Sequence, residues 1–467
     1  MLLSAANTST LDVALPVVAR HFRASASAAS WTLLTYMLVN TILILAFGRL
    51  ADIVGRRRLY LIGLGTLTVA SFACGLAPNI VVLDVLRGVQ AIGAAAIITN
   101  TTAQLTDAFP RDLLGTALGL NVAVASAAQV IGPVIGGAMA SSWGWRAVFW
   151  FNVPTGIAGL IWARLTLRRP LQEHTREPFD VVGAALSLAW LGGLVIALSE
   201  GGALGWTSGP VIAGAATFVV AAPIFVLVQM RRRYPLLDLR LFSDRGRSAA
   251  YVSNMLLHLA RFAVVLLAAL YVQAARGLDP FGAGIRVIPV AAGMMIASPF
   301  AGRLVARSSA RVLSTAGLGV TGAGLLGLAL RLQPSTSDVE LAIWLGLVGV
   351  GTGLFMTPNT SAIMTSVEPS RRGIANGVRS MMQNTGYVVS VALSLGIVTS
   401  ALPADEKREA YAGTLSRLGS SSLARLTHGY HLAFFVLAGI TVVGMGVSLS
   451  RGPQMRESGA DAVGEAL

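Results

Sequence analysis

The chain has 467 residues, of which 54% are hydrophobic and only 12% charged, with a mean hydropathy of +0.70. A soluble domain carries roughly 25% charge, and no aqueous core buries this much apolar surface, so the natural solvent is a lipid bilayer. The net charge of +14 would suggest nucleic acid in a soluble protein, but the arginines fall between apolar runs, so membrane orientation accounts for them and no nucleic-acid partner is expected.

No positively charged region precedes the first apolar run, so no cleavable signal peptide is expected. Runs of spanning length lie at about 1–19, 29–48, 59–77, 79–103, 113–139, 145–165, 180–200, 209–230, 248–274, 282–302, 312–330, 338–366, 373–400 and 429–450, fourteen in all. The first is short against the roughly 20 residues a spanning helix needs, which fits a few further residues upstream. Gly132-Pro133 and Pro289 fall inside runs and are tolerated where neighbouring helices pack on them. The single cysteine, Cys74, excludes an intramolecular disulfide.

The sharpest break in the apolar pattern is Gly48 to Arg58, GRLADIVGRRR, with four arginines and one aspartate. It reads as a tight cytoplasmic loop. With both termini cytoplasmic, the loops on that side and the tail hold 22 basic residues against 9 on the other, the bias expected for this orientation. Arg87, Arg261, Arg286 and Arg379 lie within runs. The segment 401–428 mixes both signs of charge and reads as a surface segment with a short interfacial helix.

Residues 100–110 (NTTAQLTDAFP) align with 359–369 (NTSAIMTSVEP) at an offset of 259, with five of eleven identical. Each stretch begins in the fourth run of a set of six. Two halves of six spans with two spans inserted between them satisfy this spacing, and parallel repeats are a known transporter plan. The expected organisation is an N-terminal half at 1–167, a linker with two extra spans at 168–246, a C-terminal half at 247–450 and a polar tail at 451–467.

Four motifs follow one another in register with the spans. Gly48, Asp52, Gly55, Arg56 and Arg57 lie between spans two and three. Arg87, Gln90 and Gly93 lie in span four, and Gly132-Pro133-Val134-Ile135-Gly136-Gly137 in span five, followed by WGWRAVFWFNVPTG at 143–156. This ordered set resembles the major facilitator superfamily, specifically its fourteen-spanner drug:proton antiporter branch, along essentially the whole chain. The resemblance implies an all-α integral membrane protein with the major facilitator fold, two six-helix halves plus two inserted central helices. The chain departs from the pattern at Ile53, where a basic residue is usual, and at Ala91 and Ala128, where glycine is usual. In span one Asn7 stands at the usual acidic position and Asp12 at the usual asparagine. Five residues on a helix are about 140° apart, so a carboxylate at Asp12 would face differently unless the helix unwinds near Pro16.

An ionisable group within a span is costly and faces a cavity or a partner. The resemblance implies that spans one, four, nine and twelve line a central cavity. There the chain offers Asn7, Gln90, Asn254, Arg261, Met356 and Asn359 to a substrate, and Asp12, Arg87 and His258 to protons. Each proton candidate has a structural alternative. Arg87 can form a fixed pair with Asp84 one turn away, Asp12 can snorkel toward the end near Arg20, and His258 can be a helix contact. Gly48, Asp52, Gly55, Arg56 and Arg57 are implied to form a cytoplasmic gate, with Asp52 near a helix N-terminus. The second-half echo at 302–311 carries Ala306 near the aspartate's place. Gly132, Pro133, Gly136 and Gly137 are implied to bend span five, sealing the cavity and favouring antiport, with ordinary tight packing as the alternative. Trp143, Trp145, Trp150 and Trp206 fit an interfacial aromatic belt.

The expected function is secondary active transport: proton-coupled efflux of amphipathic or cationic drugs and toxic compounds by alternating access. The expected location is the cell membrane, both termini cytoplasmic. The partners are a small-molecule substrate, protons and the bilayer, with no obligate protein partner. One alternative is an exporter of a single endogenous lipid or secondary metabolite on the same fold. Another is a transport-inactive membrane sensor, for which the missing carboxylate at position 7 argues. The sequence has no GxxxxGK[ST] loop, no metal-ligand spacing and no Ser-His-Asp set, so neither ATP hydrolysis, a cofactor, a metal nor enzymatic activity is expected.

Overall fold

A computed structural model describes residues 2–108, 124, 128, 131–167, 180–232, 235–305, 308–367, 372–414 and 419–451. Among the described residues there is no β-strand. The helices are α1 (Leu2–Phe22), α2 (Ala26–Val54), α3 (Arg56–Gly75), α4 (Ile80–Ala108), α5 (131–142), α6 (Trp145–Trp150), α7 (Asn152–Thr166), α8 (Val181–Leu204) and α9 (Gly209–Arg231). They continue with α10 (Arg245–Arg261), α11 (Ala263–Arg276), α12 (Pro280–Arg286), α13 (Ile288–Val305), α14 (Ala310–Arg331), α15 (Asp338–Thr365), α16 (Arg372–Ser400), α17 (Ala404–Ala412) and α18 (Ser420–Leu449). The end of the bundle where α1 starts is the near end, and the opposite end the far end.

Eleven segments among the described residues are long and apolar enough to cross a membrane. The expected spans at 1–19 and 145–165 are not among them, and the one at 113–139 is described continuously only from residue 131. Fourteen spans therefore remain a sequence expectation. Helix starts are set by polar caps that accept otherwise orphaned N–H groups. Ser25 Oγ accepts from Ala28 N at 3.2 Å, Asp180 Oδ1 from Gly183 N at 2.9 Å and Asp279 Oδ1 from Gly282 N at 3.0 Å. On α9, Val219, Val220 and Leu227 are each more than half exposed, which suits lipid and not water.

The expected loop Gly48–Arg58 is mostly helix. Gly48 and Asp52 lie in the last turns of α2, and the chain reverses at Gly55 alone, whose φ of +96° no ordinary side chain adopts easily. Arg56 and Arg57 open α3. Asp52 is thus close to the C-terminal end of its own helix, and its side chain, like position 306, lies outside the described residues. Three expected spans are broken, at Phe151, Phe262 and Val287. Arg286, expected within a span, instead ends α12 and pairs with Asp338 at 2.6 Å, both partly exposed.

The repeat is visible in packing. Asn100 in α4 and Asn359 in α15, its matched residue, are both fully buried. α3 meets α4 at Gly63 and Gly93, and α14 meets α15 at Gly317 and Gly351, so close that a Cβ at Gly63 or Gly317 would lie 2.9 Å or 2.7 Å from the facing carbonyl. Small residues permit this approach in the bilayer, where packing replaces the hydrophobic effect between helices. The inserted α8 and α9 pack on each other, and α8 also lies against α2 and α16.

Candidate functional site

Within the N-terminal half, five helices meet at a buried polar network. Gln90 Nε2 on α4 donates to Asn7 Oδ1 on α1 at 3.1 Å and to Ser71 Oγ on α3 at 2.7 Å. Asn152 Nδ2 on α7 donates to the same Asn7 oxygen at 3.0 Å. The Gln90 carbonyl accepts from the Arg87 guanidinium at 2.6 Å. Arg87 Nε reaches the Thr32 carbonyl at 3.1 Å, and its guanidinium lies 4.2 Å from the Tyr36 ring centre. An arginine at mid-span costs about 2.5–3.5 kcal/mol on insertion scales, and these contacts offset that cost. Asn7, Arg87 and Gln90 are at most 2% exposed, so they hold the half together and line no open surface in this state. Ser71 and Asn152 complete the network and were not singled out by sequence.

Arg87 and Asp84 make no direct ion pair. Asp84 instead accepts from the Thr32 hydroxyl at 2.8 Å, while Thr32 offers its carbonyl to Arg87. Helix geometry explains this: three residues apart the two side chains are neighbours, but α2 inserts Thr32 between them. Asp12 is 7% exposed and has no hydrogen-bond or ion-pair partner among the described residues. Pro16, inside α1, cannot donate to the Asp12 carbonyl one turn earlier.

In the C-terminal half, α10 and α16 form a seam. Gly386 lets α16 approach the backbone of Met255 and Leu259. His258 is fully buried, meets the Tyr387 ring edge-on at 5.1 Å, and neither ring nitrogen has a partner. Tyr387 also stacks on Phe262 at 3.9 Å. Asn254 Nδ2 donates to the Arg379 carbonyl at 3.3 Å. Arg261, at the break between α10 and α11, is 6% exposed and makes no hydrogen bond or ion pair among the described residues. Asn359 is fully buried, donates to the Ala250 carbonyl at 3.2 Å and accepts from Arg451 at 2.5 Å. Met356 packs against a small cluster of Leu257, Leu318 and Phe355. Arg379, Asn376 and Gln383 were left out of the expected site, although their spacing of three and four residues marks one helix face.

The two halves join at the far end. There, α5 meets α1 and α12 through glycines. A Cβ at Gly132 or Gly136 would run into Ser9 or the Thr10 backbone, and one at Gly137 into the Pro280 backbone. Gly284 on α12 fits against the backbone of Pro133 and Val134. Gln273 Nε2 on α11 donates to the Val13 carbonyl at 3.0 Å, and Ser141 to Asp279 at 3.0 Å. α17 straps this end. Tyr411 Oη bonds Ser30 Oγ at 2.8 Å, Arg20 donates to the Ala412 carbonyl at 3.1 Å, and Lys407 Nζ to the Gly202 carbonyl at 2.6 Å. Glu406 is gripped by Arg425 and Ser422 on α18, which hold its carboxyl below the ordinary carboxylate range. Glu200 on the inserted α8, 7% exposed, accepts from Trp31 Nε1 at 2.6 Å and Ser27 Oγ at 2.7 Å. Among the described residues every hydrogen bond between the halves lies at this end.

At the near end Arg57 donates to the Leu167 carbonyl at 2.7 Å and the Arg164 carbonyl at 3.0 Å, so it ties α3 to the end of α7 within one half. Gln104 reaches the Arg56 carbonyl at 3.3 Å. Of the four tryptophans expected in an interfacial belt, Trp143 and Trp206 are 75% and 51% exposed, but Trp145 is 3% exposed, packed with Phe22 and Phe149.

A transporter-like bundle with a mid-span polar seam is consistent with what the chain matches. The family model of the Major Facilitator Superfamily matches residues 1–237 and 250–464, so the chain belongs to that superfamily. The multidrug resistance protein Stp of Mycobacterium tuberculosis is 36% identical over 392 residues, covering 84% of this chain and 72% of Stp. The riboflavin transporter RibZ of Clostridioides difficile is 28% identical over 408 residues, 87% of each chain. In fold, the chain matches a bacterial homologue of the human lysosomal transporter Spinster, in an inward-facing and unoccupied conformation, with a TM-score of 0.67 at 15% identity, over 96% of this chain and 94% of that one. The protein is thus a multi-pass membrane transporter of this superfamily.

Proposed function

We propose that the protein is a proton-coupled exporter of amphipathic small molecules that works by alternating access in the cell membrane, both termini cytoplasmic. The near end is then cytoplasmic, and the glycine seam and the α17 strap seal the outside. Asp12 carries this reading. It is a mid-span carboxylate without a hydrogen-bond or ion-pair partner among the described residues, close to the Gln273–Val13 bond that joins the halves. Such a group can load and release a proton as one half rocks on the other. The multidrug relative supports efflux of foreign compounds, and the riboflavin transporter keeps a single endogenous substrate as the second reading.

The test uses everted vesicles carrying a proton gradient. Substrate addition should release protons with the parent protein and not with Asp12→Asn at equal expression. Full proton flux in that variant refutes the coupling role. If no compound moves in proteoliposomes of the parent protein, the protein is a sensor and not an exporter.

A further inference from the structure

The charges along the α10–α16 seam are all of one sign. Arg261 sits at the helix break in mid-span, nearly buried and without a hydrogen-bond or ion-pair partner among the described residues, its Nε enclosed and unbonded. Arg379 lies on a stripe of α16 with Asn376, Gln383 and Tyr387, all half-buried. Its Nε donates to Asn376 Oδ1 at 3.1 Å and one terminal nitrogen to Gln383 Oε1 at 2.9 Å, and Gln383 passes the chain on to Tyr387 at 2.5 Å. Its other terminal nitrogen is unengaged. A polar stripe with an arginine in it cannot face lipid, and Arg379 is turned toward Tyr251 on α10. His258, on the neighbouring turn of α10, feels both guanidiniums.

Among the described residues no carboxylate answers these charges. The described acids of the C-terminal half stand at its far end or its near end and already have partners there. Asp338 holds Arg276 and Arg286, Glu340 holds Arg331, Glu406 holds Arg425, and Asp244 caps α10. Asp12, in α1, interacts with Arg87 of its own half and does not neutralise this pair. Substrates with a permanent cation would meet repulsion here, whereas an acid group would find two guanidiniums with free N–H groups. Phe262, stacked on Tyr387, offers an apolar wall beside them for the rest of the molecule.

We propose that this seam is an acid-binding subsite, and that the exported compound is an amphiphile bearing a carboxylate or phosphate, held by Arg261 and Arg379. The proposal rests on the export reading above and narrows its amphipathic substrates to acids.

The experiment compares decanoate, decanamide and decyltrimethylammonium, which share one apolar chain. Binding to purified protein in phosphatidylcholine nanodiscs is read by tryptophan fluorescence, and transport is read in proteoliposomes. Decanoate should bind roughly tenfold or more tightly than decanamide, the size of a charge-assisted hydrogen bond. Arg261→Gln and Arg379→Gln should each remove that preference, and Arg379→Lys should restore part of it. Variants are compared only at matched elution and thermal stability. Adding phosphatidylglycerol tests the source of the acid, since competition with decanoate points to a lipid phosphate as the natural occupant. Tighter binding of decyltrimethylammonium, or of the uncharged amide, overturns the proposal while transport of either keeps the export reading. Arginine-dependent decanoate binding without transport of any compound upholds the subsite and overturns the export reading.

Discussion

Gly284→Ala is the sharpest probe of how the halves are sealed. A Cβ at this position would lie 2.5 Å from the Pro133 carbonyl oxygen, 2.9 Å from its carbon and 3.2 Å from Val134 Cα. These are backbone atoms, which cannot rotate away, so α12 must back off from α5 by several tenths of an ångström or more. Overpacking of this kind costs about 1–3 kcal/mol. Only the sealed state makes the contact, so the whole cost falls on one side of the conformational equilibrium, a shift of roughly 5–150-fold toward opening. The reporter is Ala140→Cys, a far-end α5 residue that is 4% exposed, in a Cys74→Ser background. A membrane-impermeant maleimide added from outside should label it faster by a factor in that range when Gly284→Ala is present. Gly439→Ala on α18, where a Cβ meets nothing within 4 Å, is the control and should change nothing. Equal labelling rates in the Gly284→Ala and parent backgrounds, with transport unaltered, would refute the assignment of the α5–α12 seam as the outer barrier.

Gln90→Leu strands the Arg87 terminal nitrogen that Gln90 accepts from, at about 1–3 kcal/mol for a buried group left unsatisfied, so yield and thermal stability in detergent should fall below those of Gln90→Glu. Glu200→Ala removes the acceptor of Trp31 Nε1 and Ser27. It should loosen α8 from α2 and change the environment of Trp31, read as a shift in emission against a Trp31→Phe reference, while Glu200→Gln keeps an acceptor and shifts it less. The Glu406 grip has a defined pH sign. Because Arg425 holds the carboxyl below its ordinary value of 4.5, the contact contributes fully above that value and is lost as pH falls through the lower folded value. Hydrogen exchange in 404–412 should therefore stay protected at pH 5 and rise only in stronger acid, whereas Glu406→Gln should raise it at neutral pH.

Span positions were legible because bilayer thickness sets one length for every helix. The inserted pair at 180–200 and 209–230 appears as Val181–Leu204 and Gly209–Arg231. Two helix breaks also had a signal, since Pro154 and Pro289 lie three and two residues after Phe151 and Val287 and remove a helix hydrogen bond there. The break at Phe262 has no proline or glycine, and only the charge of Arg261 marks it. Pairings across helices were not legible. Hydropathy places Thr32 and Asp84 in different spans and cannot say that one bonds the other. The gate motif misled for a related reason: its glycine and arginines look like a loop, but a single positive-φ glycine suffices to turn the chain. Glu200 escaped notice because it ends an apolar run and looks interfacial, while the fold buries it against Trp31. Lys407, the sole lysine, was counted as a surface charge, yet it caps carbonyls at the end of α8.

The exchange of acid and amide between positions 7 and 12 has a physical meaning in this arrangement. At position 7 two amide donors already converge on one oxygen, with Arg87 one bond further on through Gln90. The neutral Asn7 satisfies both donors at any pH, although its own amide nitrogen stays without a partner. A titrating group there would act on the interior of one half. Position 12 lies about 140° round the helix, away from those donors and one residue from the Val13 carbonyl that receives Gln273 of the other half. A proton gained or lost at Asp12 therefore changes charge beside a contact made only when the far end is sealed. On the proposed coupling role, a carboxylate at 12 and not at 7 keeps its charge interaction with Arg87 of the N-terminal network and adds a titrating group beside the joint between the halves.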